Sequence, residues 1–233
     1  GDVYKRQNSS LVMYDRQTES LWTHFDGRAV VGHLTGAELD LVPLRTVSWA
    51  DAAAEAPDAL VLSRVTGYQR SYGSNPYPGY DDAGERPILF DGPIDDRLRA
   101  KDRVVVARSD GGSVTVLWDV LVAEGVVVAE VGGRAALFVH RPGTASALDT
   151  SQIAEGRDVG AAGVYWLPAG ASLAEQASAD PISLVLDGGE VARWSFDGSP
   201  LGDHPGLEPV EHLDTFWFAI AAFDPDTALV LTP

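Results

Sequence analysis

The chain has 233 residues, of which 34 are acidic and 17 are basic, and its formal net charge is −17. Such a surface repels nucleic acid and anionic lipid headgroups, so we expect it to bind neither. The 45% of hydrophobic residues predicts a globular core, and no uninterrupted apolar run approaches the roughly 18 residues that predict a transmembrane helix. The chain contains no cysteine, which excludes disulfides and cysteine nucleophiles within this stretch.

Residues 1–7 have neither an initiator methionine nor the apolar segment of a signal peptide. We interpret them as a non-native leader and expect the fold to begin at residue 8. The next segment, residues 8–65, is predicted to be the C-terminal part of a first module.

A strand that ends in an Asp-Gly turn occurs twice in the chain. The first copy reads Trp22-Thr-His-Phe-Asp-Gly and the second reads Trp194-Ser-Phe-Asp-Gly. Glycine supplies the positive φ that such a turn requires. The order of the residues that follow also repeats over about 40 positions. We therefore predict an internal duplication that produces two related modules.

A short helix is predicted to follow the turn in each copy. The first helix is predicted to begin near Thr46 or Ser48 and the second near Asp214, because these side chains accept hydrogen bonds from free N–H groups. Each helix is predicted to end before a proline, Pro57 or Pro225, whose ring stops helix propagation.

The second module is predicted to span residues 103–233. Its front half consists of strand-like runs separated by Gly-rich turns, for example Arg103–Arg108 and Arg134–His140. Each module is predicted to close with an apolar strand, at 59–62 or at 228–231. The front half has no counterpart in the first module, so we expect an N-terminally truncated chain that lacks roughly 80 residues of that module. The predicted fold class is β-rich α+β.

Residues 66–102 connect the two modules and are rich in Gly, Pro, Asp and Tyr. This composition favours ordered turns, and four tyrosines make the segment too aromatic for a disordered linker. Aromatic faces and a guanidinium stack on sugars or planar ligands, which predicts a ligand-binding surface. The alternative is that the rings only hold a long loop in place. The predicted ligand-binding residues are Tyr68, Arg70, Tyr72, Tyr77 and Tyr80.

A second candidate site is a polar cluster around the first Asp-Gly turn. Two histidines flank this turn and are predicted to approach nearby aspartates; the alternative is that they are solvated at the surface. No two histidines have the close spacing of metal ligands, so no metal site is predicted. The residues of this cluster are Asp15, His24, Asp26 and His33.

Several stretches are similar to one known family. They are Ser10–Trp22, Thr66-Gly67-Tyr68 with Arg70 and Tyr72, Pro76-Tyr77 with Tyr80, Arg97-Leu98 with Lys101 and Arg103-Val104, Asp214–Ala219, and Pro225-Asp226-Thr227. In these residues the chain resembles the domain-of-unknown-function family 3179 (DUF3179) over residues 8–233. The resemblance implies a bacterial or archaeal protein, often exported or lipid-anchored, without an established activity. It also implies a Cys-Pro-x-Cys element in the first module. The matching residues of the second module, 139–143, contain no cysteine.

Three hypotheses about function follow. The first is an extracytoplasmic, non-catalytic module that binds an unidentified ligand or protein partner through the tyrosine-rich connection. The second is a thiol-redox or metal-handling protein whose cysteines lie upstream. The third is a carbohydrate-active enzyme, for which the pairs Asp81-Asp82 and Asp95-Asp96 supply candidate carboxylates. The sequence alone does not decide whether the protein is an enzyme, and it identifies no cofactor.

Overall fold

The computed structural model describes residues 2–7, 9–175 and 177–232. Within these ranges, fourteen strands form four small sheets, and the three α-helices have seven residues each. The fold is therefore β-rich α+β, as the sequence predicts. None of the helices in the described ranges is long and apolar enough to cross a membrane.

The first sheet is an antiparallel meander of four strands, which are β1 (Asp2–Gln7), β2 (Ser10–Asp15), β3 (Ser20–Thr23) and β4 (Ala29–Val31). Strand β1 pairs with β2 from Asp2 opposite Tyr14 to Gln7 opposite Ser10. The sequence analysis places residues 1–7 outside the fold, whereas the structure pairs residues 2–7 with the edge of β2. That these residues are a non-native leader stays a prediction.

The remaining strands form three further sheets. The second sheet has the order β13-β5-β6-β14, from β5 (Arg103–Ser109), β6 (Gly112–Leu117), β13 (His212–Phe216) and β14 (Ala228–Val230). The third contains β7 (Val126–Val131), β8 (Arg134–Arg141) and β9 (Ala161–Trp166), and the fourth contains β10 (Ser172–Leu173), β11 (Ile182–Val185) and β12 (Val191–Trp194). The helices are α1 (Trp49–Glu55), α2 (Trp118–Glu124) and α3 (Trp217–Phe223), and a 3₁₀ turn spans Ile153–Glu155.

The second sheet is buried on both faces. Val104 and Val106 of β5 pack with α3 and with Phe25, while Val105 and Ala107 pack toward the third sheet. Side chains of a strand alternate between the two faces of its sheet, so a strand covered on both sides is apolar at every position. This explains why the strand is a continuous apolar run.

The third sheet is likewise covered on both sides. Ala136 and Phe138 of β8 pack toward the second sheet, whereas Leu137 and Val139 pack toward the fourth sheet and Trp194. The second, third and fourth sheets are therefore stacked layers, with one core between the second and third sheets and another between the third and fourth. Trp22, Trp194 and Trp217 are all buried; Trp194 lies in the core between the third and fourth sheets, and Trp217 packs on the other face of the second sheet.

None of the residues of helix α1 is buried, so charged contacts and not a hydrophobic face hold this helix to the rest of the molecule. It begins where the sequence predicts, since Ser48 Oγ accepts a hydrogen bond from Asp51 N at 3.2 Å. Arg141 Nη2, at the end of β8, lies 2.8 Å from Asp51 Oδ1, and Arg45 Nη2 lies 2.7 Å from Glu55 Oε2. The pair of Arg141 with Asp51 connects helix α1 to the end of β8, whereas the pair of Arg45 with Glu55 lies within the first segment.

One predicted helix boundary is wrong, and one helix is missing from the prediction. Helix α3 begins at Trp217 and not near Asp214, because Asp214 lies within β13 and its carboxylate pairs with the guanidinium of Arg103. The residue before the helix, Phe216, provides no side-chain cap. Helix α2, which begins at Trp118, has no counterpart among the helices that the sequence predicts.

The first Asp-Gly turn is closed by backbone and side-chain hydrogen bonds. Gly27 has φ 68°, and its N–H donates to Thr23 O at 3.1 Å. The Thr23 hydroxyl donates to the Asp26 carboxylate, which also accepts from Arg28 N at 3.3 Å. The carbonyl of Gly27 accepts from Leu39 N at 3.1 Å, which folds the following loop back onto the turn.

The second Asp-Gly turn has the same bonds in the same order. Gly198 has φ 82°, and its N–H donates to Ser195 O at 2.9 Å. The Ser195 hydroxyl donates to Asp197, which accepts from Ser199 N at 2.9 Å, and the carbonyl of Gly198 accepts from Leu207 N at 2.9 Å. The two stretches therefore share their local structure. Duplication stays a prediction, and this geometry is compatible with it.

The two copies differ at their ends. Residues 228–230 form β14, which pairs in parallel with β6. Residues 59–62, predicted to be the equivalent strand, are exposed and form no strand in the structure, so that prediction is wrong. A strand requires a neighbouring edge for its backbone hydrogen bonds, and residues 59–62 lack such a neighbour among the described residues.

Candidate functional site

The tyrosine-rich connection divides into an outer and an inner part. Tyr68 is 74% exposed, and Arg70 and Tyr72 are exposed as well. The Tyr72 hydroxyl lies 3.2 Å from Thr66 Oγ1. Tyr68, Arg70 and Tyr72 therefore lie on the surface, in a different part of the connection from Tyr77 and Tyr80.

Asn75 fixes the inner part of this connection. Its side chain is buried, and Nδ2 donates to Thr150 O at 3.0 Å while its backbone N–H donates to Ser151 O at 2.9 Å. Its Oδ1 accepts from Tyr77 N at 2.8 Å. The connection therefore packs against residues 150 and 151, and the position of the Tyr77 backbone is fixed by a buried amide.

The inner tyrosines begin a row of aromatic rings. Ring centres are 6.4 Å apart for Tyr77 and Tyr80, 5.8 Å for Tyr80 and Phe216, and 6.3 Å for Phe216 and Phe218. The Tyr80–Phe216 contact is edge-to-face at 74°, an arrangement that the ring quadrupoles favour. The row links the connection to the end of β13 and the start of α3.

An apolar cavity of about 480 Å³ lies beside this row. Its residues come from the start of β2, the first Asp-Gly turn, the connection, β13 and α3, and they include Leu11, His24, Phe25, Tyr77, Tyr80, Ile88, Leu213 and Phe218. Three of these residues, His24, Tyr77 and Tyr80, are candidates from the sequence. The structure thus brings one member of the polar cluster together with two of the predicted aromatic residues.

The other members of the polar cluster have local roles. Asp15 accepts from Gln17 N at 2.9 Å and from the Thr18 hydroxyl at 2.6 Å, and the bond from Thr18 lowers the pKa of Asp15 most. Asp26 is bound within its turn, and His33 is exposed. No group of three or more His, Cys, Asp or Glu residues suited to a metal ion occurs in the described part of the chain.

A second cavity of about 630 Å³, here called the polar cavity because it is lined by more polar and charged residues than the first, lies where β6, β8, β9 and β13 end or begin. On its wall the guanidinium of Arg103 lies 3.8 Å from the centre of the Trp118 ring. Arg103 Nε also donates to Asp214 Oδ1 at 2.7 Å. The guanidinium is therefore held between an aromatic face and a carboxylate, which fixes its orientation.

Trp118 and His140 share one acceptor in the same wall. Trp118 Nε1 and His140 Nε2 each donate to Val159 O at 3.1 Å, and their rings meet edge-to-face with centres 5.4 Å apart. Because a carbonyl only accepts, Nε2 of His140 carries a proton. These contacts fix the tautomer and the position of a buried histidine.

Asp158 orders the loop that closes this cavity. Its carboxylate accepts from the backbone N–H groups of Gly143 at 2.9 Å, Thr144 at 3.1 Å and Gly160 at 2.8 Å. These bonds, first of all the one from Gly143, hold the pKa of Asp158 below its usual value. The carboxylate therefore remains ionised and contributes a fixed negative charge to the cavity wall.

The predicted acidic pairs bind arginines and backbone groups. Asp81 pairs with Arg157, with Asp81 Oδ2 2.9 Å from Arg157 Nη2. Asp95 accepts a forked pair of bonds from Arg97, and the bond from Arg97 is the largest cause of the lowered pKa of Asp95. Asp82 Oδ1 accepts from Gly84 N at 2.8 Å in a turn. These three carboxylates serve as structural acceptors.

The sequence analysis missed the polar cavity. Its wall includes Lys101, Arg103 and His140, none of which was proposed as a site residue. Lys101 and Arg103 belong to the stretch that carries the family resemblance, and this was the available signal. His140 ends a predicted strand, and no sequence pattern indicates that it meets Trp118 across the fold.

The protein is a β-rich α+β protein with a layered core, and it contains two cavities large enough for a small-molecule ligand. The family model described as "Protein of unknown function (DUF3179)" matches residues 5–227. The chain therefore belongs to the DUF3179 family, as its quoted motifs indicate. Comparison with curated proteins and with solved structures found no match.

Proposed function

We propose that this protein is a non-catalytic binding module whose ligand occupies the apolar cavity. The observation that carries the proposal is the convergence of His24, Tyr77 and Tyr80 on one cavity. These residues come from two segments separated by some 50 positions, and the sequence alone indicates each of them as a site candidate. The engagement of three of the four candidate carboxylates, Asp81, Asp82 and Asp95, in structural bonds supports binding over hydrolysis.

The cavity favours a neutral ligand with a planar, apolar body. Its volume of about 480 Å³ lies within the range of roughly 300–1,000 Å³ that small-molecule sites occupy. Tyr77 is about half exposed, so one face of its ring is accessible to a stacking ligand. Phe218 and Leu213 supply apolar surface, while His24 supplies a polar group.

Fluorescence titration with the neutral aromatic probe N-phenyl-1-naphthylamine tests this proposal. We expect one saturable site in the wild type. Tyr77→Ala should weaken binding by about threefold to tenfold, since an aromatic contact contributes about 0.5–1.5 kcal/mol beyond the buried area. The matched control Tyr68→Ala removes a tyrosine from the outer part of the same connection and should bind the probe as the wild type does.

Equal affinity of Tyr77→Ala and the wild type would contradict the proposal, as would a loss of binding in Tyr68→Ala. Circular dichroism of both variants checks that the fold is retained. Because Tyr77 is half exposed, we expect neither substitution to unfold the protein.

We also propose that the protein acts outside the cytoplasm. This proposal is supported by the resemblance to exported and lipid-anchored members of its family. Fractionation of cells that express the gene with its native upstream sequence tests it, and recovery in the cytoplasmic fraction would contradict it.

A further inference from the structure

Lys101 is a buried cation on the wall of the polar cavity. The residue is 3% exposed, and its Nζ donates to Tyr80 O at 2.8 Å and lies 4.7 Å from the centre of the Tyr80 ring. An ammonium group has three N–H donors. Within the described ranges, Nζ has neither a second hydrogen-bond partner nor an ion pair with a carboxylate.

The other cationic side chains on this wall are paired. Each of the three arginines has a carboxylate partner, in the pairs Arg99–Asp102, Arg103–Asp214 and Arg157–Asp81. A buried charge without a counter-charge is costly, because the lost hydration is not replaced. Among the described residues, Lys101 is therefore the one cation on this wall that has no carboxylate partner.

A second polar group without a full set of partners lines the same cavity. Thr144 lies on the same wall and is 6% exposed, and its Oγ1 has no hydrogen-bond partner in the described part of the chain. Nearly all buried polar groups in proteins have such a partner. Two incompletely satisfied polar side chains thus line one cavity.

We propose that the polar cavity is a second binding site, which takes a small organic monocarboxylate with its carboxylate against Lys101. A single charge fits because the wall also contains carboxylates, among them Asp119 and Asp158, which repel a more highly charged anion. An organic body fits because Leu117, Leu148 and Phe216 contribute apolar surface. This site adjoins the apolar cavity of the proposed function, and the two cavities share Leu148, Asp214 and Thr215.

The chain offers a direct assay, because Lys5 and Lys101 are its only two lysines. Protein labelled with ¹³C at lysine Cε gives two side-chain signals, and Lys5, in strand β1, serves as the internal reference. We expect hexanoate to shift the Lys101 signal with a saturable dependence on concentration and to leave the Lys5 signal unchanged. The neutral analogue 1-hexanol and inorganic phosphate should shift neither signal. An unchanged Lys101 signal with hexanoate would refute the proposal, as would a saturable shift with phosphate alone.

Calorimetric titration of two variants provides the second measurement. Lys101→Met keeps the aliphatic stem and removes the charge, so hexanoate affinity should fall at least tenfold. Arg99→Met removes an exposed, already paired cation from the same wall and should leave the affinity within about twofold. Equal affinity of Lys101→Met and the wild type overturns the proposal. If Lys101→Met does not fold, the signals of the labelled wild type decide.

Discussion

The buried hydroxyl pair of Thr115 and Thr227 permits a test of how β14 is held to the second sheet. Both residues are buried, and their Oγ1 atoms lie 2.9 Å apart. Thr115 lies in β6, and Thr227 immediately precedes β14. Replacement of either threonine by valine keeps the shape of the side chain but leaves the other hydroxyl buried without this partner.

The expected magnitudes follow from that loss. A buried polar group deprived of its partner costs about 1–3 kcal/mol, whereas replacement of both partners by apolar groups of the same shape is nearly neutral. Thr115→Val and Thr227→Val should therefore each lower the free energy of unfolding by about 1–3 kcal/mol. The double variant should lose clearly less than the sum of the two, with a coupling energy on the order of 1 kcal/mol or more.

Urea denaturation of the four proteins measures these free energies, and the slope with urea should be the same in all four. Thr35→Val is the control, because the Thr35 hydroxyl donates to Gly32 O in an exposed turn. We expect a change within about 0.5 kcal/mol for this control. Additive losses in the double variant would show that the two hydroxyls do not interact in the folded protein, and the reasoning would be refuted.

Three further outcomes are expected. Gly198→Ala should reduce the midpoint of urea unfolding, because Gly198 has φ 82° and a Cβ there would lie 2.7 Å from Cε1 of Tyr165. Burial lowers the pKa of His212, so the folded state binds fewer protons than the unfolded state. The free energy of unfolding, measured by urea titration, should therefore fall as the pH drops from about 6.5 through the folded pKa of His212. His212→Phe should remove this part of the pH dependence. Phe138→Ala should lower the free energy of unfolding by about 3–5 kcal/mol, because this ring is fully buried. Leu60→Ser should change the free energy of unfolding by less than about 0.5 kcal/mol, because Leu60 is fully exposed. A large loss of stability in Leu60→Ser would contradict the position of Leu60 in the structure.

Local features were predictable from the sequence. The continuous apolar run of β5 and the Gly-rich turns predicted the strands of the second module, because strand and turn preferences depend on neighbouring residues. The same reasoning located both Asp-Gly turns and the start of α1 at Ser48. It failed at Asp214, where a partner 111 positions away in the chain, Arg103, holds the carboxylate in a strand.

The tertiary structure determines which of the predicted ligand-binding residues line the apolar cavity. Tyr68 and Tyr77 belong to the same tyrosine-rich segment, yet only Tyr77 of the two lines the apolar cavity. The difference arises from Asn75, whose bonds to residues 150 and 151 fix the inner part of the connection. A bond across such a distance in the chain leaves no periodic signal in the sequence.

The sequence by itself determined the charge balance, the absence of thiol chemistry in this stretch, the β-rich class and the family motifs, since these depend on composition and on short-range order. The tertiary structure alone decided that His24 and Tyr80 line one cavity and that Lys101 lies buried at another. It also decided that residues 228–230 pair with β6 while residues 59–62 remain exposed. The physical reason is that burial, charge pairing and strand pairing are properties of contacts between residues far apart in the chain, which local preferences do not specify.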